Sequence, residues 1–135
     1  MTSSGLGGRP VAGCTVYSAA KACSSYLAQA LSYELTGRVD VMSWEAGAAG
    51  TKMFPEEKRA KMYSPGRAVD GMLVDLGHER LSYGSFKHDW SLSTFKAAPT
   101  GPLMKMMNGA MTKSYHRDLE RIKKDEISMD DYLKR

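Results

Sequence analysis

Tyr17 and Lys21 stand four residues apart in Tyr17-Ser18-Ala19-Ala20-Lys21. On a helix that spacing brings a phenol and an ammonium to one face, with Cβ atoms about 5–6 Å apart. A free tyrosine releases its proton only near pH 10, and a neighbouring cation favours the phenolate. The pair therefore suits a proton donor and acceptor for interconverting a ketone and an alcohol. Ser4 lies thirteen residues upstream, and the glycines at 5, 7, 8 and 13 could fold the segment back. Its hydroxyl could then hold the carbonyl oxygen that Tyr17 protonates.

The elements that must position these groups are readable in outline. The first dozen residues, rich in Ser and Gly with Pro10, read as a loop. Ala20, Cys23, Leu27, Leu31 and Leu35 recur at helical spacing and predict a helix over 18–35, buried along that stripe and stopped by Gly37. Val39 to Trp44 is a β-favouring run, followed by the turn Ala46 to Gly50. Residues 51–63 read as a short helix or lid. Ser64-Pro65 reads as an N-cap with proline at the first helical position, opening a helix through Ala68, Met72, Leu73 and Leu76 that Gly77 ends. Arg80 to Lys87 alternates weakly as a last strand, and a helix rich in Met and Lys begins beyond Pro102 before a charged tail. Strands separated by helices imply an α/β protein with parallel strands. Two or three strands are few for such a sheet.

Composition excludes several classes. The 135 residues suffice for one domain with a core, and 42% hydrophobic with 25% charged residues is ordinary for a globular chain. The net charge of +4 is mild and mixed in sign along the chain, which argues against nucleic-acid binding. Cys14 and Cys23 have no partnering Cys or His at ligand spacing, so neither a zinc site nor a disulfide framework is expected. His78, His88 and His116 are scattered and read as surface residues. No basic and apolar leader pattern opens the sequence, so no signal peptide is expected, and no run of eighteen apolar residues encodes a membrane span.

Taken together, Ser3-Ser4-Gly5, the thirteen-residue offset, Tyr17-Ser18-Ala19-Ala20-Lys21, Val39-Asp40-Val41 and the turn ending in Thr51 resemble the C-terminal half of the short-chain dehydrogenases/reductases. Thr51-Lys52-Met53, Ser64-Pro65, Met106-Met107-Asn108 and Lys113-Ser114 are similar to the branch of 17β-hydroxysteroid dehydrogenases and very-long-chain 3-oxoacyl-CoA reductases. The resemblance spans nearly the whole chain and implies an incomplete Rossmann-type, doubly wound parallel sheet over 1–100 with a helical extension over 101–135. It implies NADP(H) as cofactor and a 3-oxoacyl-CoA or steroid as substrate. Ser4 would orient the carbonyl, Tyr17 would transfer the proton, and Lys21 would tune Tyr17 and reach the nicotinamide ribose. Gly47 and Thr51 would lie against the nicotinamide end, with Ala46-Gly47 standing where the family has Pro-Gly. It implies no metal.

The family's dinucleotide fingerprint and its catalytic asparagine have no counterpart in these residues. Gly5-Leu6-Gly7-Gly8 lacks the preceding strand and following helix that a phosphate loop needs. Met1 aligns with the interior of a family strand, so a truncated product is expected, inactive by itself and with an exposed sheet edge. The alternative is a non-catalytic remnant that assembles through helix 18–35, whose small residues permit close packing in a homodimer. Met104, Met107 and Met111 recur at helical spacing, as core packing or, with Lys105 and Lys113, as a membrane-surface contact over 102–113. The resemblance implies the endoplasmic reticulum membrane; a truncated chain would be cytoplasmic.

Overall fold

Thr2–Ser4 (β1), Ser43–Ala46 (β2) and Leu81–Ser82 (β3) form a parallel sheet in the order β1-β2-β3. Thr2 pairs with Trp44 and Ser4 with Ala46, while Ser43 pairs with Leu81 and Trp44 with Ser82. The helices are Thr15–Glu34 (α1), Glu56–Arg59 (α2), Pro65–Asp75 (α3), Phe86–Ala97 (α4) and Thr100–Lys123 (α5). Among the described residues the protein is therefore α/β with three parallel strands and five helices, as its alternation of helical and strand patterns implies. This computed structural model describes residues 1–52, 54, 56–124 and 128. The end of the charged tail lies outside the described residues.

Two compact units divide the chain. The first comprises Met1–Pro10 and Thr15–Ala98, the second Val11–Cys14 and Pro99–Arg135.

In the first unit the opening residues are a strand and not a loop. The N-terminal ammonium donates to the Met42 carbonyl at 2.7 Å, and Trp44 N–H donates to the Met1 carbonyl at 2.8 Å. Pairing with β2 supplies what composition could not show. A 3-10 turn, Gly5–Gly8, follows and packs on α1. A Cβ on Gly7 would stand 2.7 Å from the Lys21 carbonyl carbon, so glycine is required there by close approach. Arg9 reaches back to the carbonyls of Phe95, Lys96 and Ala98, satisfying the open end of α4 with a cation.

α1 forms where its alanines and spacing predict, three residues earlier at its start, but it turns a different face inward. Ser18, Ser25, Ala28 and Ser32 are buried, while Ala20, Cys23 and Leu27 of the expected stripe are exposed. The reason lies in the sheet. β2 presents the buried Ser43 and Glu45 to this helix, so small hydroxyl side chains pack and pair better than leucines would. Ser43 Oγ donates to Ser25 Oγ at 3.1 Å, and Ser25 Oγ donates to Glu45 Oε1 at 3.0 Å. Ser18 and Ser32 turn their hydroxyls onto the Thr15 and Gln29 carbonyls of their own helix.

The second strand is later than its β-favouring residues suggest, starting at Ser43, and Val39 is exposed. Strand pairing reaches Trp44–Ala46 from β1 and Ser43 and Trp44 from β3. α3 begins and ends where expected: Ser64 Oγ accepts from Arg67 N–H at 3.3 Å, and Gly77 (φ 86) follows the last turn. The strand expected from Arg80 to Lys87 shortens to Leu81–Ser82, because Gly84 (φ 73) breaks it and Ser85 caps α4. A Cβ on Gly71 would collide with the Gly84 carbonyl oxygen. Gly71→Ala is therefore expected to cost about 2–3 kcal/mol by forcing α3 away from this loop. Urea unfolding with an unchanged m value and a lowered midpoint checks this.

In the second unit α5 begins at Thr100, after Pro99, and Leu103 is buried. Met104, Met107 and Met111 form a half-buried stripe. Cys14 Sγ approaches Met111 Sδ at 3.5 Å, and a Cβ on Gly13 (φ 81) would meet the Met111 side chain. Among the described residues, no helix is long and apolar enough to cross a membrane.

Candidate active site

Parallel strands leave all their carboxyl ends on one edge of a sheet, where the loops that follow can converge. Ser4 is the last residue of β1, and Gly47 follows the last residue of β2. Ser4 is buried in extended conformation, and its Oγ accepts from Leu6 N–H at 3.3 Å, capping the 3-10 turn. The hydroxyl proton has no acceptor among the described residues.

Tyr17 and Lys21 occupy the first two turns of α1, packed on β1. The Lys21 ammonium is 5.7 Å from the centre of the Tyr17 ring and 3.5 Å from the Thr2 carbonyl oxygen. Ser3 Oγ donates to the Lys21 carbonyl at 2.6 Å, fastening this stretch of α1 to β1 from the other side. Tyr17 is 45% exposed, and its hydroxyl has no hydrogen-bond partner among the described residues. The three groups thus belong to one strand–turn–helix unit: an accessible phenol, a cation beside its ring, and a serine at the strand end.

Gly47 and Thr51 sit on the loop leaving β2. A Cβ on Gly47 would lie 2.6 Å from the His88 ring, so only glycine lets α4 seat its first turn against this loop. Thr51 is exposed; its N–H donates to the Ala49 carbonyl at 2.8 Å and its carbonyl accepts from Phe54 N–H at 3.1 Å. No described contact brings Thr51 onto Tyr17 or Lys21. The same loop is anchored by Gly50 N–H, which donates to the Tyr63 carbonyl at 2.9 Å.

Two features escape a reading of the sequence. His88, read as a surface residue, is half-buried and meets Tyr63 edge-on at 5.1 Å. The second feature is an ionic cluster under the end of β2. Lys96 Nζ donates to Glu45 Oε2 at 2.8 Å and to Tyr83 OH at 2.9 Å. The Glu45 side chain is 4% exposed and that of Lys96 30%. Burial of the ammonium opposes its charge. The hydrogen bonds and fields of Glu45 and Tyr83 outweigh that effect and raise Lys96 above its ordinary value of 10.5. An acid at an inward strand position is the one local signal for this cluster. Its cation lies fifty-one residues away, beyond any local pattern.

An exposed phenol with a cation beside its ring can deliver or remove a proton, and a serine hydroxyl can hold a carbonyl oxygen. No described contact joins the Ser4 side chain to that of Tyr17 or Lys21. The three groups supply no hydride by themselves. No protein-family model, no curated protein and no solved structure matches this chain.

Proposed function

We propose that this chain carries the proton-transfer half of a ketone/alcohol oxidoreductase of the short-chain dehydrogenase/reductase type. Its fold is then the C-terminal part of a Rossmann-type sheet. NADP(H) supplies or accepts the hydride, and the substrate is a lipid ketone, a 3-oxoacyl-CoA or a steroid. Tyr17 passes the proton, Lys21 assists it and contacts the nicotinamide ribose, and Ser4 holds the oxygen. The observation that carries this reading is the joint placement of Tyr17 and Lys21 on the turns of α1 that pack against β1, the strand ending in Ser4.

The test is NADPH binding to the purified chain by nucleotide fluorescence or calorimetry, with NADH alongside. The chain is then assayed for ketone reduction alone and with a polypeptide supplying a dinucleotide-binding fold. Binding together with NADPH-dependent reduction supports the reading. Absence of both, at millimolar nucleotide and with the second polypeptide present, removes it.

A second reading has its own observation. α1 leaves Val16, Tyr26, Leu27 and Tyr33 exposed, with Tyr26 71% accessible. A helix face of that size and apolarity fits an assembly surface, on which a second copy of α1 would pack. A non-catalytic assembly subunit would be indifferent to the loss of the Tyr17 hydroxyl.

A further inference from the structure

The segment after α2, the start of α3 and the start of α4 enclose an open cleft of about 650 Å³ in the first unit. Its wall carries the side chains of Lys61, Arg67 and Lys87, with His88, Tyr63 and the Ser64 hydroxyl between them. No described lining residue is acidic, and none of the three cations forms an ion pair with a described carboxylate. A net charge of +4 over 135 residues does not require three unpaired cations to share one concavity.

The N-terminus of α3 opens on this space, and the first turn of α4 adds Lys87 and His88 to its wall. Ser64 caps α3, an eleven-residue helix, and Ser85 caps α4, a twelve-residue helix whose second and third residues are Lys87 and His88. The caps use the Arg67 and His88 N–H groups. The α3 end still carries positive potential from its aligned peptides, in addition to the three side-chain charges. Ser85, Phe86 and Asp89, the acid in the first turn of α4, line a different cleft with Asp75 and Glu79. The wall is braced: His88 stacks edge-on against Tyr63 at 5.1 Å, and Ala49 and Tyr63 form a bridge.

We propose that this cleft is a binding site for a doubly charged phosphoryl group, with Arg67 as its bidentate ligand and Lys61 and Lys87 as flanking point charges. Planar guanidinium and compact ammonium groups match phosphate oxygens in those two ways. The site draws on none of Ser4, Tyr17 or Lys21, and it stands or falls apart from the redox reading. Phosphoryl groups of this kind occur on dinucleotide cofactors and on coenzyme A thioesters alike. The cleft reads the charge they share.

The test is a 31P NMR and calorimetric titration of the whole chain with inorganic pyrophosphate at low salt. Saturable one-to-one binding is expected, weakened about ten-fold or more by each of R67Q and K87Q, as loss of a charge-assisted hydrogen bond implies. K105Q on α5 and Y17F are expected to leave it unchanged. R67K retains part of the affinity, which separates lost charge from lost structure, and circular dichroism reports folding of each variant. Competition by coenzyme A, or by NADPH better than NADH, supports the site and names the molecule that brings the phosphoryl group. Equal weakening by R67Q and K105Q, no binding at millimolar pyrophosphate, or binding only to anionic lipid vesicles overturns it.

Discussion

Under the proposed function, Tyr17→Phe is expected to lower ketone reduction by about 10²–10⁴-fold, the usual worth of a positioned general acid, while the fold stays intact. The assay includes the polypeptide that supplies the dinucleotide-binding fold. The argument joins chemistry to exposure. Phenylalanine keeps the ring against which the Lys21 ammonium stands at 5.7 Å and removes only the hydroxyl. That hydroxyl has no partner among the described residues, and the side chain is 45% exposed. Stability should therefore move by less than about 0.5 kcal/mol, as for other surface changes. The readouts are kcat/KM with NADPH and the thermal midpoint. A variant within two-fold of the parent rate would mean that the proton comes from elsewhere. It would leave α1 with the assembly role its exposed aromatic face suggests.

Lys96→Met should cost about 2–3 kcal/mol of folding stability. Glu45, 4% exposed, would keep Ser25 as its donor and lose its counter-charge. Removing one partner of a buried pair typically costs about 3–5 kcal/mol, and the 30% exposure of Lys96 places this case lower, since water already screens part of the interaction. The double variant Glu45→Met with Lys96→Met should recover most of the loss, because two apolar side chains of similar length avoid the desolvation that both ions incur. The cycle is read from urea unfolding at neutral pH. Its pH dependence has a definite sign. Lys96 holds its proton more tightly folded than unfolded, so its contribution is fully present below about pH 10.5 and is lost as pH rises through the higher folded value. An alkaline loss of stability that survives unchanged in Lys96→Met would assign it to another group.

Position along the chain explains which elements were legible. α3 was readable end to end because its signals are local: Ser64 capping, Pro65 at the first position, Gly77 in the left-handed region after the last turn. α4 carries one such signal, Ser85, and its apolar residues do not line up, with Phe86 and Trp90 exposed. It escapes a periodicity reading for that reason. β3 needs only two residues to pair with β2, too few for alternation to register.

Residue type and spacing alone determined that Tyr17 and Lys21 share one helical face, that Ser4 lies within reach of that helix, and that parallel strands alternate with helices. Those relations span four to thirteen residues and follow from helix geometry, capping and turn chemistry. The tertiary structure decided which face of α1 goes inward, placing Ser25 and Ser43 on Glu45 and leaving Tyr26 and Leu27 outside. It also decided that Lys96 neutralises Glu45, and that Lys61, Arg67 and Lys87 share one wall. The Ser25–Ser43, Ser25–Glu45 and Lys96–Glu45 pairings join residues 18, 20 and 51 positions apart. Their energies come from burial and from the field of neighbours, and both exist only once the chain has folded.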